Sequence, residues 1–127
     1  MPENVLERTI PATSDAGVIR MAVSTRDGTK VNLHFGATDT FFIYDVSADG
    51  ATLVEKRSIA SLAKDGEDVR DTACRILSDC KALLLEKVGV NPRAMLAAVG
   101  VEAIESYKGE LVATALADVF AKKAASS

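Results

Sequence analysis

The sequence predicts an α/β domain built on a mixed five-stranded sheet with three helices. Three observations lead there. β-branched and aromatic runs separated by glycine turns fill the first half of the chain. Apolar residues then recur at helical spacing, alternating with short, almost wholly apolar runs. And 127 residues, 48% of them hydrophobic, suit one domain with a core of its own.

Residues 1–17 are polar, carry Pro2 and Pro11, lack periodicity, and read as a flexible leader. The first strand is Val18 to Thr25, β-branched and alternating. Asp27-Gly28 is a hairpin-turn signal. A second, aromatic-rich strand runs from Phe41 to Ser47. Ala48 to Gly50 is a turn, and Ala51 to Ala60 is a third strand joined as a meander. The period then changes: from Gly66 onward Val69, Ala73, Ile76, Leu77 and Cys80 share one helical face. Asp79 to Val88 suits a buried strand. Asn91-Pro92 caps and opens a helix that Gly100 closes. Val101 to Ser106 is a short strand. From Gly109 an amphipathic helix turns Leu111, Ala115, Leu116 and Val119 inward. Residues 122–127 are expected to fray, which leaves 18–121 as the folded domain. The order βββαβαβα demands parallel strands joined by right-handed crossovers, and it is the order of the ribonuclease-H-like fold.

Charge and composition exclude several function classes. A net charge of −3 without a basic patch speaks against nucleic acid. No apolar run approaches the roughly 20 residues of a membrane helix. Two cysteines make no disulfide framework, so a reducing cytoplasm with free thiols is expected. The first strand holds no carboxylate for a two-metal nuclease, and no nucleophile-elbow, phosphate-loop or C-x-x-C pattern occurs.

His34 is the sole histidine, placed between the alternating run Val31-Asn32-Leu33 and Gly36. With only Cys74 and Cys80 beside it in composition, it is a poor start for a zinc or iron–sulfur cage, which needs three or four protein ligands. A preassembled metal–sulfur cluster is a different problem. It brings its own sulfides, so one or two ligands suffice, and few ligands also permit release. A loop imidazole is a suitable donor. A nucleophilic pair of His34 with Cys80 has nothing in the sequence to orient the ring.

At this point two stretches carry a resemblance: "VNLHFGATDTFFIYDVS" (31–47) and "ILSDCKALLLEKVGVNPRAMLAAVGVEAI" (76–104). Together they resemble the dinitrogenase iron–molybdenum cofactor biosynthesis family, of the NifX, NifY and NafY type, also found as the C-terminal domain of NifB. The likeness covers about Val18 to Phe120. It implies a ribonuclease-H-like fold without nuclease activity. The implied role is a non-enzymatic carrier that transiently binds an iron–sulfur cofactor precursor or the finished iron–molybdenum cofactor and passes it on. Implied partners are the nitrogenase molybdenum–iron protein or a cofactor-assembly scaffold, with no nucleic acid and no membrane. No three-cysteine radical-enzyme motif is present, so a stand-alone member rather than the synthase is expected.

The family's histidine falls on His34, which the resemblance makes a metal ligand. Phe35 would shield the site from water. Gly36, otherwise a turn glycine needing positive φ, would allow close backbone approach to cluster sulfides. Arg26 and Lys30 make the loop locally positive and would steer an anionic cluster, with Asn32 on the same loop completing the cofactor-binding set. Cys80 reads first as a small buried hydrophobe; Cys74, off the apolar stripe, is the more exposed thiol. Both are secondary candidates for metal. The competing reading is a protein-binding module that stabilises or regulates a nitrogenase component without holding the cluster, with His34 structural.

Overall fold

Side-chain alternation decides which way each strand faces. In the computed structural model, which describes residues 17–126, β1 (Ile19–Val23) sends Ala22 to one side of the sheet and Met21 and Val23 to the other. β2 (Thr40–Ser47) does the same with Phe41 and Ile43 against Phe42 and Tyr44, and β4 (Ala82–Leu84) with Leu83 against Ala82 and Leu84. This period of two is what a strand covered on both faces requires. With β3 (Gly50–Ser58) and β5 (Glu102–Ile104) the sheet has five strands in the order β3-β2-β1-β4-β5. β1 pairs antiparallel with β2 and parallel with β4, and β4 pairs parallel with β5, so the sheet is mixed as expected. The leader expected over 1–17 lies, apart from Gly17, outside the described residues.

Four helices cover the two faces. The first face buries Ile59 of α1 (Ile59–Leu62), Ala73, Cys74 and Ile76 of α2 (Val69–Ile76), and Leu96 of α3 (Val90–Ala98). The second is covered by α4 (Val112–Ser126) through Val112, Ala115, Leu116 and Val119. Each fully buried leucine, such as Leu77, Leu83 or Leu96, contributes on the order of 1.5–3 kcal/mol of transfer free energy.

Several expectations are corrected here. Asp27-Gly28 makes a turn, with Gly28 at φ 87, but it does not join two paired strands. The register Val23↔Phe42 leaves residues 24–39 as a long excursion. That excursion is pinned at Val31, whose N–H donates to Glu110 O and whose carbonyl accepts from Gly109 N–H. The third strand stops at Ser58 and a fourth, unforeseen helix follows. The Ser58 hydroxyl caps α1 by accepting from Ser61 N–H, and Asp39 accepts from Ala60 N–H. Asn91 is not the cap of α3: Gly89 is, and Asn91 and Pro92 lie in the first turn. Leu111 is exposed, and Val112 takes the inward place. Residues 122–126 are helical rather than frayed, held where Lys122 meets Asp118 and Lys123 meets Glu102.

β4 is shorter than the apolar run because both ends are claimed by other contacts. At its start Asp79 accepts from Arg57 Nη1 at 2.6 Å and from Arg20 Nη1 at 3.1 Å, tying the α2–β4 turn to β3 and β1. At its end Glu86 and Lys87 turn to meet the excursion.

Candidate functional site

Open α/β sheets place ligands beyond the carboxyl ends of their parallel strands. Here the chain leaving β1 returns alongside the chain leaving β4. Glu86 N–H donates to Leu33 O at 2.9 Å, and Phe35 N–H donates to Lys87 O at 2.8 Å, so His34 and Lys87 form a parallel bridge. A 3-10 turn, Phe35–Ala37, starts at once, and its cap is His34. The His34 carbonyl accepts from Ala37 N–H at 3.1 Å and from the Thr38 hydroxyl at 2.7 Å. Phe35 is buried, with its ring centroid 6.3 Å from that of Phe41. The backbone around His34 is therefore fixed on both sides while its side chain stays 56% exposed. Glu86 Oε1 lies 2.9 Å from His34 Nε2.

The imidazole borders a cleft of about 580 Å³. Phe35, Ile59, Val69, Val88 and Pro92 give it apolar walls, and Arg70 and Lys87 supply two cations. No carboxylate is among its lining residues. α2 starts at Val69 and α3 at Gly89, so two helix N-termini face the same space; that of α3 has no side-chain cap. The two cations and the uncapped N-terminus of α3 favour an anion, although two carboxylates stand just outside the lining, Glu86 at His34 and Asp68 at Arg70, where it caps α2.

The residues singled out from sequence divide into two groups. His34, Phe35 and Gly36 line the cleft. Gly36 needs no left-handed backbone, and a Cβ there would meet open space, which corrects the turn-glycine reading. Arg26, Lys30 and Asn32 are not at the cleft. Asn32 Oδ1 accepts from Arg26 N–H at 3.0 Å and shapes the excursion, while Lys30 pairs with Leu111 at its far end. The cations at the site are Arg70 and Lys87. The first sits in a charged helix entry whose plain reading is a solvated surface; the second ends a buried-strand run. No local signal in the sequence points either of them at His34.

Both cysteines lie in the core, away from the cleft. Cys74, expected to be the more exposed thiol, is buried because α2 buries the consecutive residues Thr72, Ala73 and Cys74. Burial raises its thiol, and burial beside Asp79 pushes Cys80 up to about 12, which disfavours the thiolate form of both. Among the described residues no three His, Cys, Asp or Glu side chains stand together as a metal cage. The cleft thus brings together one half-exposed imidazole, two cations and apolar walls.

Comparison with known proteins adds to this geometry. The model of the family described as "Dinitrogenase iron-molybdenum cofactor" matches residues 17–122. The chain belongs to the dinitrogenase iron–molybdenum cofactor family. It is similar to the FeMo cofactor biosynthesis protein NifB of Herbaspirillum seropedicae, 36% identical over 72% of this chain and 18% of that protein. It is also similar to NifB of Frankia alni, 34% identical over 84% of this chain and 22% of that protein. Protein NifX of Sinorhizobium fredii is 32% identical over 58% of this chain and 51% of its own length. The chain therefore spans about a fifth of those NifB relatives and about half of that NifX. For the fold, the apo orange protein of Desulfovibrio gigas superimposes with a TM-score of 0.62 at 20% identity, covering 82% of this chain and 88% of that one. PH0822 does so with a TM-score of 0.59 at 18% identity, covering 82% and 90%. In this family member no helix among the described residues is long and apolar enough to cross a membrane.

Proposed function

We propose that this family member is a non-enzymatic carrier that holds an iron–sulfur precursor of the iron–molybdenum cofactor, or the finished cofactor, in the His34 cleft and passes it on. The receiving partner in this reading is the nitrogenase molybdenum–iron protein or a cofactor-assembly scaffold. The observation that carries the reading is the cleft walled by apolar side chains, with one half-exposed imidazole and the cations Arg70 and Lys87 among its lining residues and no acid among them. Such clusters are anionic and bring their own sulfides. A single nitrogen ligand with a positive, water-poor surround holds one without the multiple thiolates that would hinder release. Phe35 and Val88 limit water at the cluster's inner face, and Arg70 and Lys87 raise the encounter rate.

The test is an anaerobic titration of the protein with isolated iron–molybdenum cofactor, counting bound iron after desalting. The parent should bind it, His34→Ala should bind more than tenfold more weakly, and Lys87→Glu with Arg70→Glu should load slowly at low salt. Equal iron in parent and His34→Ala would end the ligand assignment. Val69 and Val90, 62% and 84% exposed beside the cleft, favour a second reading: a protein-binding module that stabilises or regulates a nitrogenase component. That reading requires a stable complex with the apo protein and is tested by pull-down without cofactor.

A further inference from the structure

Val88 is one of the apolar walls of the cleft and is itself buried. A buried amide needs an acceptor. The Val88 N–H has one in a side chain remote in sequence: it donates to Glu105 Oε2 at 2.7 Å. Glu105 directly follows β5, at the carboxyl end of that strand, and is not among the residues lining the cleft. Its carboxylate is held in turn. Arg93 Nη2 stands 3.3 Å from the same Oε2, and Arg93 Nη1 donates to Ala103 O at 2.7 Å. The turn before α3, the first half of α3 and the end of β5 therefore meet at one carboxylate.

The contact matters because of what stands on either side of Val88. Lys87 is one of the two lining cations and bridges to His34, its carbonyl accepting from Phe35 N–H. Gly89 caps α3, its carbonyl accepting from Arg93 N–H at 3.1 Å. We infer that Glu105 is a positioning residue for the cleft: by accepting the Val88 N–H it fixes the turn from β4 to α3 and so sets where Val88 and Lys87 stand beside His34 before any cargo arrives. This rests on the carrier reading above and adds to it a residue that touches no cargo. The physical basis is general. An amide that donates to a charged carboxylate makes a short, strong bond. Removing the acceptor leaves a buried N–H unpaired, and the turn loosens to find another. A wall already in order spares the binding step the cost of ordering it.

The test begins with the apo protein. In the parent, the Val88 15N should show a coupling through the hydrogen bond to the Glu105 carboxyl carbon. The Val88 amide should exchange slowly with deuterium in the parent and in Glu105→Gln, whose amide oxygen still accepts, and rapidly in Glu105→Ala. Titrated with isolated iron–molybdenum cofactor, Glu105→Ala should bind roughly 3–10-fold more weakly, the cost of ordering a loosened turn on binding. Glu105→Gln should recover most of that loss. Thermal unfolding of each variant controls for folding, and the coupling in the parent decides the contact even where Glu105→Ala does not fold. A missing coupling, slow Val88 exchange in Glu105→Ala, parent-like cofactor binding by Glu105→Ala, or Glu105→Gln no better than Glu105→Ala would overturn the inference and leave the carrier reading standing. A parent that binds no cofactor would end the carrier reading, and the apo spectra would still decide whether Glu105 holds the turn.

Discussion

Replacing Asp79 with asparagine removes one charge and almost no volume, and the structure sets the size of the loss. Asp79 accepts from Arg57 Nη1 at 2.6 Å and Nη2 at 3.0 Å, and from Arg20 Nη1 at 3.1 Å. Arg20 keeps Asp45 at 2.8 Å, so its share is small. Arg57 is only 12% exposed and keeps Glu55 alone among carboxylates. A hydrogen bond to a charged group contributes about 1.5–3 kcal/mol. Asp79 is 47% exposed, so solvent screening roughly halves the fork with Arg57. The expected loss is about 2 kcal/mol, or roughly 8 °C in Tm for a domain of this size. Urea unfolding followed by circular dichroism measures it. The pH dependence carries the sign. The two guanidiniums hold the Asp79 carboxyl well below the usual carboxylate range. A depressed native value stabilises the fold above the unfolded value of 3.8, and that contribution fades as pH falls below it. The gap between parent and Asp79→Asn should therefore be full at pH 7 and shrink by roughly 0.5–1 kcal/mol between pH 5 and pH 3. Glu67, held at about 2 by Arg75, loses its contribution in the same direction, but it is common to both proteins and cancels. A gap below about 0.5 kcal/mol at pH 7, or one that does not change by pH 3, would refute the clamp.

Both thiols should resist alkylation at pH 8 until the protein unfolds, and Cys80→Ala should cost about 1 kcal/mol in urea while binding cofactor as the parent does, because Cys80 is a buried small hydrophobe. Gly28→Ala should lose about 1–2 kcal/mol, since φ is +87° and the new Cβ would stand 3.0 Å from Phe42 Cε2; Gly36→Ala, with ordinary φ and open space, should stay within about 0.5 kcal/mol by the same measurement.

What the sequence made legible was mostly local. Phe41-Phe42-Ile43-Tyr44 announces a strand covered on both faces, and the two cores divide those side chains in strict alternation. Gly100, at φ 86, ends α3 as a terminal glycine should. What stayed hidden depended on partners far away in the chain. The hairpin signal at Asp27-Gly28 is real as a turn, but Val31, Leu33 and Phe35 beyond it find hydrogen bonds at Glu110, Gly109, Glu86 and Lys87, so the turn opens an excursion instead of closing a hairpin. Local signals were also misread: Ser58, a helix cap at the end of a β-branched run, was missed, and the cap of α3 is Gly89 rather than Asn91.

The same distinction explains the charges at the site. Arg26 and Lys30 are neighbours of His34 in sequence, and an extended excursion carries them away from it. Arg70 and Lys87 are remote in sequence, and the ends of α2 and β4 bring them to it. A parallel sheet does this by construction, because successive β-strands point their carboxyl ends the same way and empty their loops into one place. His34 gains its character from that convergence. The segment on either side of it is held by the bridge to Lys87 and the 3-10 turn, Glu86 lies 2.9 Å from its Nε2, and the half-exposed ring borders a cleft lined by two cations. A histidine in an unpinned loop would offer the same chemistry with neither the orientation nor the field.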